Sequence, residues 1–207
     1  MIVNFDNLSR KHVGQFGVLF STLTEIDSII ILERKRENML NWIFYPLSEK
    51  PTELAIKVVS VFENLYDQIE SESHVGLKSD DVLKIVADDL AEIGFKVERG
   101  KKAAEKVKVP VLFGSLGKPE KTFEVDAYYP DFGFIVEIEA GRGYTNNHFL
   151  RDIFEACMMH DVRYLAIAIR NDYGGHKDYE RTKLFLETLY ASNRLKLPLN
   201  GLLLLGY

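Results

Sequence analysis

Asp126, Glu137 and Glu139 are three of the five acidic side chains in the stretch FEVDAYYPDFGFIVEIEAGRG, and they stand among neighbours apolar enough to be core. Carboxylates gathered at the end of a sheet repel one another, and an isolated buried anion is strongly disfavoured. A divalent cation removes the conflict. Mg2+ takes hard oxygen ligands, keeps several waters and typically uses one or two carboxylates, which leaves the third acid to orient or deprotonate a water. A plainer reading stands beside this one: the acids face solvent on an edge strand that alternates polar and apolar residues. Two features favour the metal. Phe134, Ile135, Val136 and Ile138 leave few polar positions in the strand, and it ends in AGRG, where small residues let a ligand approach the backbone.

The elements around the acids must bring them together. In a strand over FIVEIEAG, Glu137 and Glu139 share one face while Val136 and Ile138 take the other. KTFEVDAYYP reads as the neighbouring strand, joined through the turn PDFG. A turn centred near Asp131 and Phe132 sets Asp126 across from Glu137, to within a residue or two. Upstream, FKVERG and VKVPVLFGS read as extended. Before them, DDVLKIVADDLAEIG has helical spacing, with Ser79 as its N-cap and Gly94 as its stop. Further upstream, PTELAIKVVSVFENLYDQIES is a helix with Pro51 in its first turn. Residues 1–47 show no clean period, and Pro46 stops whatever precedes it. Downstream, TNNHFLRDIFEACMMHD carries Phe149, Ile153, Phe154 and Cys157 at helical spacing. RYLAIAIRN suits a central strand covered on both faces, DYERTKLFLETLYASN a last helix, and GLLLLGY a final strand.

This order of elements, with Asp126 on one strand and Glu137-Ile138-Glu139 on the next, resembles the PD-(D/E)xK nuclease superfamily, in particular type II restriction endonucleases of the BamHI and BglII kind. The resemblance covers roughly Ser79 to Asn171, with the motif in the form D-x10-E-x-E. It implies a restriction-endonuclease-like αβββαβ core whose mixed sheet is flanked by helices. It implies further that Asp126, Glu137 and the Ile138 backbone carbonyl hold Mg2+, for which Mn2+ can substitute, and that Glu139 helps to activate the attacking water. The chain departs from the commoner pattern in having Glu139 where most members carry Lys, and in having no Pro directly before Asp126. The BamHI-like enzymes share the Glu, and the departure leaves open a second metal or a Lys supplied from elsewhere, with Lys121 a candidate. Members of the superfamily often bring an acid from the preceding helix into the metal shell, and Asp89 stands at the margin of that helix's apolar stripe. A solvated helix face is the competing reading for Asp89.

Other residues admit two readings each. Arg142 either neutralises developing phosphate charge or pairs with a nearby acid. The helix that starts near Asn146 offers free N–H groups to a phosphate, with Asn147 and Arg151 on one face toward DNA. His148 and His160 read as flanking this helix, and Cys157 as core. Over residues 96–108, basic side chains outnumber acidic ones six to two. Lys101, Lys102, Lys106 and Lys108 of this segment, with Lys121 beyond it, read either as solubility charges or as phosphate contacts. The two glycines of NDYGGHKDY suggest a mobile tip.

Composition bounds the rest. The chain has 207 residues, an apolar fraction of 46% and a formal net charge of −5, which argues for a sizeable core and against a broadly basic nucleic-acid binder. One cysteine excludes an intramolecular disulfide framework and a CxxC zinc site. No apolar stretch approaches the length of a membrane helix, and the N-terminus lacks a basic segment followed by an apolar run, so a cytoplasmic protein is expected.

The reading is therefore an α/β protein. A mostly helical N-terminal extension spans residues 1–78 and a nuclease-like core spans residues 79–207. The expected activity is Mg2+-dependent hydrolysis of DNA phosphodiester bonds, with double-stranded DNA as partner. One site per strand implies a symmetric homodimer, and FYPL and VVSVFENLY are expected to supply its contact. The alternative is a catalytically inactive module of the same fold that binds nucleic acid or a protein partner.

Overall fold

The computed structural model describes residues 39–141, 144 and 146–207. The chain divides into two units, Met1–Met39 and Leu40–Tyr207, and every element named below belongs to the second. In chain order these are β1 (Asn41–Tyr45), α1 (Glu53–Asn64), α2 (Tyr66–Ile69), α3 (Ser79–Glu92), β2 (Lys96–Val97), β3 (Val107–Phe113), β4 (Pro119–Val125), β5 (Ala127–Tyr129), β6 (Phe134–Glu139), α4 (His148–Met158), β7 (Tyr164–Ile169), α5 (Asp178–Ser192) and β8 (Gly201–Gly206).

Six of these strands form a mixed sheet in the order β1-β8-β7-β6-β5-β2, and β3 with β4 forms a separate two-stranded ribbon. β6, β7 and β8 run parallel, while β1, β5 and β2 are antiparallel to their neighbours. The parallel strands explain their own sequences. YLAIAI and GLLLLG are almost wholly apolar because both faces of a central parallel strand are covered. On one face Phe134, Val136 and Ile138 of β6, with Ala166, Ala168, Leu203 and Leu205, pack under Val58 and Phe62 of α1 and Val82, Val86 and Leu90 of α3. On the other face Ile135, Leu165, Ile167 and Leu204 pack under Phe149, Ile153 and Ala156 of α4 and Leu186 of α5. The α/β class, the mixed sheet and its flanking helices match the expectation from sequence.

Several local expectations change. Of the expected extension, residues 1–38 lie outside the described residues, and from residue 40 onward the segment belongs to the same unit as the core: β1 pairs with β8 from Asn41↔Gly206 to Tyr45↔Leu202. In the VVSVF run Val58, Val59, Val61 and Phe62 are all buried in the core. Pro51 precedes its helix rather than entering the first turn, because Thr52 is the N-cap and its hydroxyl accepts from Ala55 N–H at 3.1 Å. α3 begins at Ser79 with Lys78 as N-cap, where Asp81 reaches back to accept from Lys78 N–H at 3.3 Å.

Gly94 ends α3 as expected. Its φ of +106° favours glycine, and a Cβ there would run into the Tyr129 ring.

KTFEVDAYYP is not one strand. Its first part, in β4, belongs to the ribbon, and its last part, in β5, belongs to the main sheet. Asp126 is the residue at the joint. The chain changes sheets there because β5 must meet both β2 and β6, through Val97↔Ala127 and Ala127↔Val136.

Candidate active site

The register of the β5–β6 hairpin decides how the acids meet. Tyr129↔Phe134, Tyr128↔Ile135 and Ala127↔Val136 are paired, so one further step sets Asp126 opposite Glu137. Side chains opposite one another in an antiparallel pair share a face. Glu137 and Glu139 alternate with Val136 and Ile138, which face α3, and so lie on the face that α4 covers. Asp126 Oδ2 accepts a hydrogen bond from Ile138 N–H at 2.8 Å, which ties the joint residue to the end of β6. The three acids named from sequence are thus brought together at one end of the sheet.

α4 supplies a fourth acid that the sequence analysis did not single out. Asp152 is 3% exposed, on the same stripe as Phe149, Ile153 and Ala156, and its Oδ2 is buried without a hydrogen-bond partner. Arg151 donates to Asp152 Oδ1 through Nη2 at 3.1 Å and Nε at 3.3 Å, and its Nη2 lies 3.6 Å from Glu139 Oε1. His148 Nδ1 stands 3.3 Å from Glu139 Oε2. Glu139 therefore sits between two groups from the first turn of α4, where the helix dipole also favours negative charge. Its backbone carbonyl accepts from the buried Tyr207 hydroxyl at 3.2 Å, which fixes the end of β6. The signal for Asp152 is present in the sequence: an acid on the apolar stripe of an amphipathic helix.

The electrostatics result from this crowding. Burial pushes Asp126 up to about 7, against the Ile138 N–H that favours its anion; Glu98, Asp152 and Asp80 push it further up. Burial likewise raises Glu139 to about 7, opposed by the Arg151 charge. Asp152 also rises to about 7, through burial first and Glu139 second, and the two carboxyl groups stand close enough to share a proton. Glu137 is raised well above the carboxylate range by burial and then by Asp126, Asp152 and Glu139. Four carboxyl groups thus face one another, with Arg151 in ion-pair contact with two of them.

Such a set is short of positive charge and rich in hard oxygen. Among the described residues no three His, Cys, Asp or Glu side chains are drawn up to hold a metal ion by themselves. The donors nevertheless suit Mg2+, which binds through one or two carboxylates and completes its octahedron with waters. Asp126, Glu137 and the Ile138 carbonyl are of the required chemistry.

The remaining candidates lie elsewhere or are otherwise engaged. Asp89 is half-buried on α3; the acid of that helix whose charge reaches Asp126 is Asp80. Arg142 lies outside the described residues. Asn147 is exposed and forms the left-handed N-cap of α4, with φ of 56°. Three lysines pair with acids: Lys101 with Asp80 at 3.2 Å, Lys106 with Glu98 at 2.7 Å and Glu124 at 3.7 Å, and Lys108 with Glu124 at 3.7 Å. Lys102 is exposed, and Lys121 lies 5.5 Å from the centre of the Phe123 ring. His160 stands 3.2 Å from Asp161 and edge-on to Phe113, away from the acids. Cys157 packs half-buried against the α4-side core. Tyr173 and His176 close the loop after β7 as an isolated bridge around Gly174 and Gly175.

No protein-family model matches the chain, and no curated protein matches it. Among solved structures the chain is similar to the restriction endonuclease BglII in complex with a DNA 16-mer, at a TM-score of 0.41 and 14% identity, covering 81% of this chain and 77% of that one. Among the described residues no helix is long and apolar enough to cross a membrane.

Proposed function

We propose that the protein is a Mg2+-dependent endonuclease that hydrolyses DNA phosphodiester bonds, with a PD-(D/E)xK-type site of the D…ExE form. The observation that carries this reading is the hydrogen bond from Ile138 N–H to Asp126 Oδ2 at 2.8 Å, which holds that acid against the end of β6 where Glu137 and Glu139 share a face. In this reading Asp126, Glu137 and the Ile138 carbonyl hold the ion, and Mn2+ substitutes for it. A dication held there supplies Lewis acidity toward a phosphoryl oxygen. The chain's own residues do the rest. Glu139, whose carboxyl group rises to about 7, takes or orients the proton of the attacking water near neutral pH. His148, at 3.3 Å, keeps that carboxyl in place. Arg142 stabilises the charge that develops on the phosphoryl group. Lys102 and Lys121 contact the DNA backbone more readily than Lys101, Lys106 and Lys108, which already have acidic partners. Cutting both strands then requires two copies of the chain, one site per strand.

The test is plasmid cleavage with Mg2+ and with EDTA, beside Asp126→Ala and Glu137→Ala. Cleavage that needs Mg2+ and disappears in both variants is expected. Undiminished cleavage by the two variants overturns the assignment. DNA binding without cleavage by the intact protein returns the alternative, a nuclease fold used only to bind.

A further inference from the structure

We infer that the cavity between the first turns of α3 and the segment that follows β2 receives one unpaired nucleotide of a bound DNA strand, with its base inside and its phosphate at the rim. The inference rests on the DNA-directed reading above, but concerns a site apart from the acids of that reading.

The cavity has a volume of about 340 Å3. Ligand pockets span about 300–1,000 Å3, so this one suits a ligand the size of a single nucleotide. Its lining is graded by depth. Leu83 and Ala87 are buried and give an apolar floor for the face of a ring. Glu98 is the most enclosed charged side chain of the lining, at 13% exposed, whereas Lys84 is 73% exposed.

An acid within and cations at the mouth select the ligand. A phosphate placed inside is repelled by Glu98 and Asp80, while at the mouth it meets Lys84 and Arg99. Lys84 is held to Asp81 only by an exposed contact at 3.5 Å, so turning it to a phosphate costs little. An enclosed carboxylate instead accepts from a base edge that donates, and guanine presents N1–H and its exocyclic amino group side by side. Lys106 holds Glu98 by Oε1 at 2.7 Å, and among the described residues no hydrogen bond reaches Oε2. Arg99 is fixed by Asp88 at 2.6 Å and by the Ala87 carbonyl at 3.3 Å, which presents a flat guanidinium on which a base can stack.

The cavity also adjoins the proposed site of cleavage. Glu98 N–H donates to the Asp126 carbonyl at 2.8 Å, and the charges of Glu98 and Asp80 both act on the Asp126 carboxyl group. A strand with a phosphate at Asp126 therefore has a neighbouring nucleotide within reach of the cavity. Its base enters only by leaving the stack, which costs least in a single strand or at a mismatch.

Binding of mononucleotides to the full chain in EDTA tests this apart from metal and cleavage. Calorimetry and saturation-transfer resonance with dGMP, dTMP and inorganic phosphate are compared for the intact chain, Glu98→Gln and Lys84→Trp. The intact chain is expected to bind dGMP at least about fivefold more tightly than dTMP, and phosphate more weakly than either. Glu98→Gln is expected to abolish the preference for dGMP. Lys84→Trp, a change at an exposed position that covers the mouth, is expected to weaken dGMP severalfold. Equal binding of dGMP and dTMP, phosphate binding as tight as dGMP, or no dGMP binding overturns the inference. So does a preference that survives Glu98→Gln, or dGMP binding that Lys84→Trp leaves unchanged. If Glu98→Gln does not fold, Lys84→Trp decides. Selective dGMP binding by a chain that cleaves no plasmid overturns the nuclease reading alone, and plasmid cleavage without dGMP binding overturns the cavity alone.

Discussion

Asp126, one residue beyond the Ala127–Val136 pair, accepts at its Oδ2 a hydrogen bond from the N–H of Ile138 at 2.8 Å. One residue thus ties the ribbon to the strand that carries Glu137 and Glu139, so structure and chemistry depend on the same side chain. Asp126→Asn and Glu137→Gln keep the shape while removing the charge. Each is expected to abolish measurable DNA cleavage while raising, or leaving unchanged, the melting temperature of the metal-free protein, because a mutually repelling buried anion is gone. Glu139→Gln, which removes the proton acceptor, is expected to lower the cleavage rate by about 10²–10⁴-fold. Single-turnover cleavage and thermal melts on the same preparations check the set.

The raised carboxyl groups make stability depend on pH in a defined direction. Asp126, Glu139 and Asp152 rise to about 7 in the folded chain, from ordinary values of 3.8, 4.5 and 3.8. A folded state that binds protons more tightly than the unfolded chain is stabilised at low pH. That stabilisation is fully present below the unfolded values, and it is lost as pH rises through about 7. The metal-free protein is therefore expected to melt at a lower temperature at pH 8 than at pH 5.5, and Asp126→Asn is expected to flatten the slope. Mn2+ should stabilise more at pH 8 than at pH 5.5, because the ion and the protons compete for the same oxygens. Melting curves across pH, with and without Mn2+, measure both effects.

The lysines are expected to separate into two kinds. Lys106, whose side chain is 21% exposed beside a 13%-exposed Glu98, holds a largely buried ion pair, so Lys106→Ala should destabilise by about 1–3 kcal/mol. Lys101→Ala breaks an exposed pair and should cost about 1 kcal/mol or less. Lys102→Ala and Lys121→Ala are expected to leave stability unchanged, weaken DNA binding alike on different sequences, and reduce the salt dependence by about one contact each. Denaturant titration and binding isotherms over a range of salt distinguish the two groups.

The core is expected to respond strongly at β8 and weakly at the outer side of α4. Leu204 is fully buried between β1 and β7, and Leu204→Ala should cost about 2–5 kcal/mol. Phe154 is 52% exposed, and Phe154→Ala should stay within about 0.5 kcal/mol. Equilibrium unfolding in urea reads both values.

Much of the fold and of the acidic site is legible from local pattern. The unbroken apolar runs of β7 and β8 announce strands covered on both faces, since no polar side chain has to meet water there. Alternation sets Glu137 and Glu139 on one face, and the PDFG turn fixes the register that brings Asp126 opposite Glu137. Phe154 misleads because its spacing from Phe149 and Ile153 resembles a continued stripe, while the sheet contacts a narrower strip of the helix.

By itself, then, the sequence determined the period of each element and which residues each strand or helix turns to the same side, because these depend on steric rules a few residues in range. What only the tertiary structure decided was which of those faces meet. NWIFY joined β8 as an edge strand from the far end of the described chain, the ribbon split KTFEVDAYYP at Asp126, and α4 carried Asp152, Arg151 and His148 onto the acids. Those outcomes turn on long-range packing and on the burial of charge, and neither leaves a periodic trace along the chain.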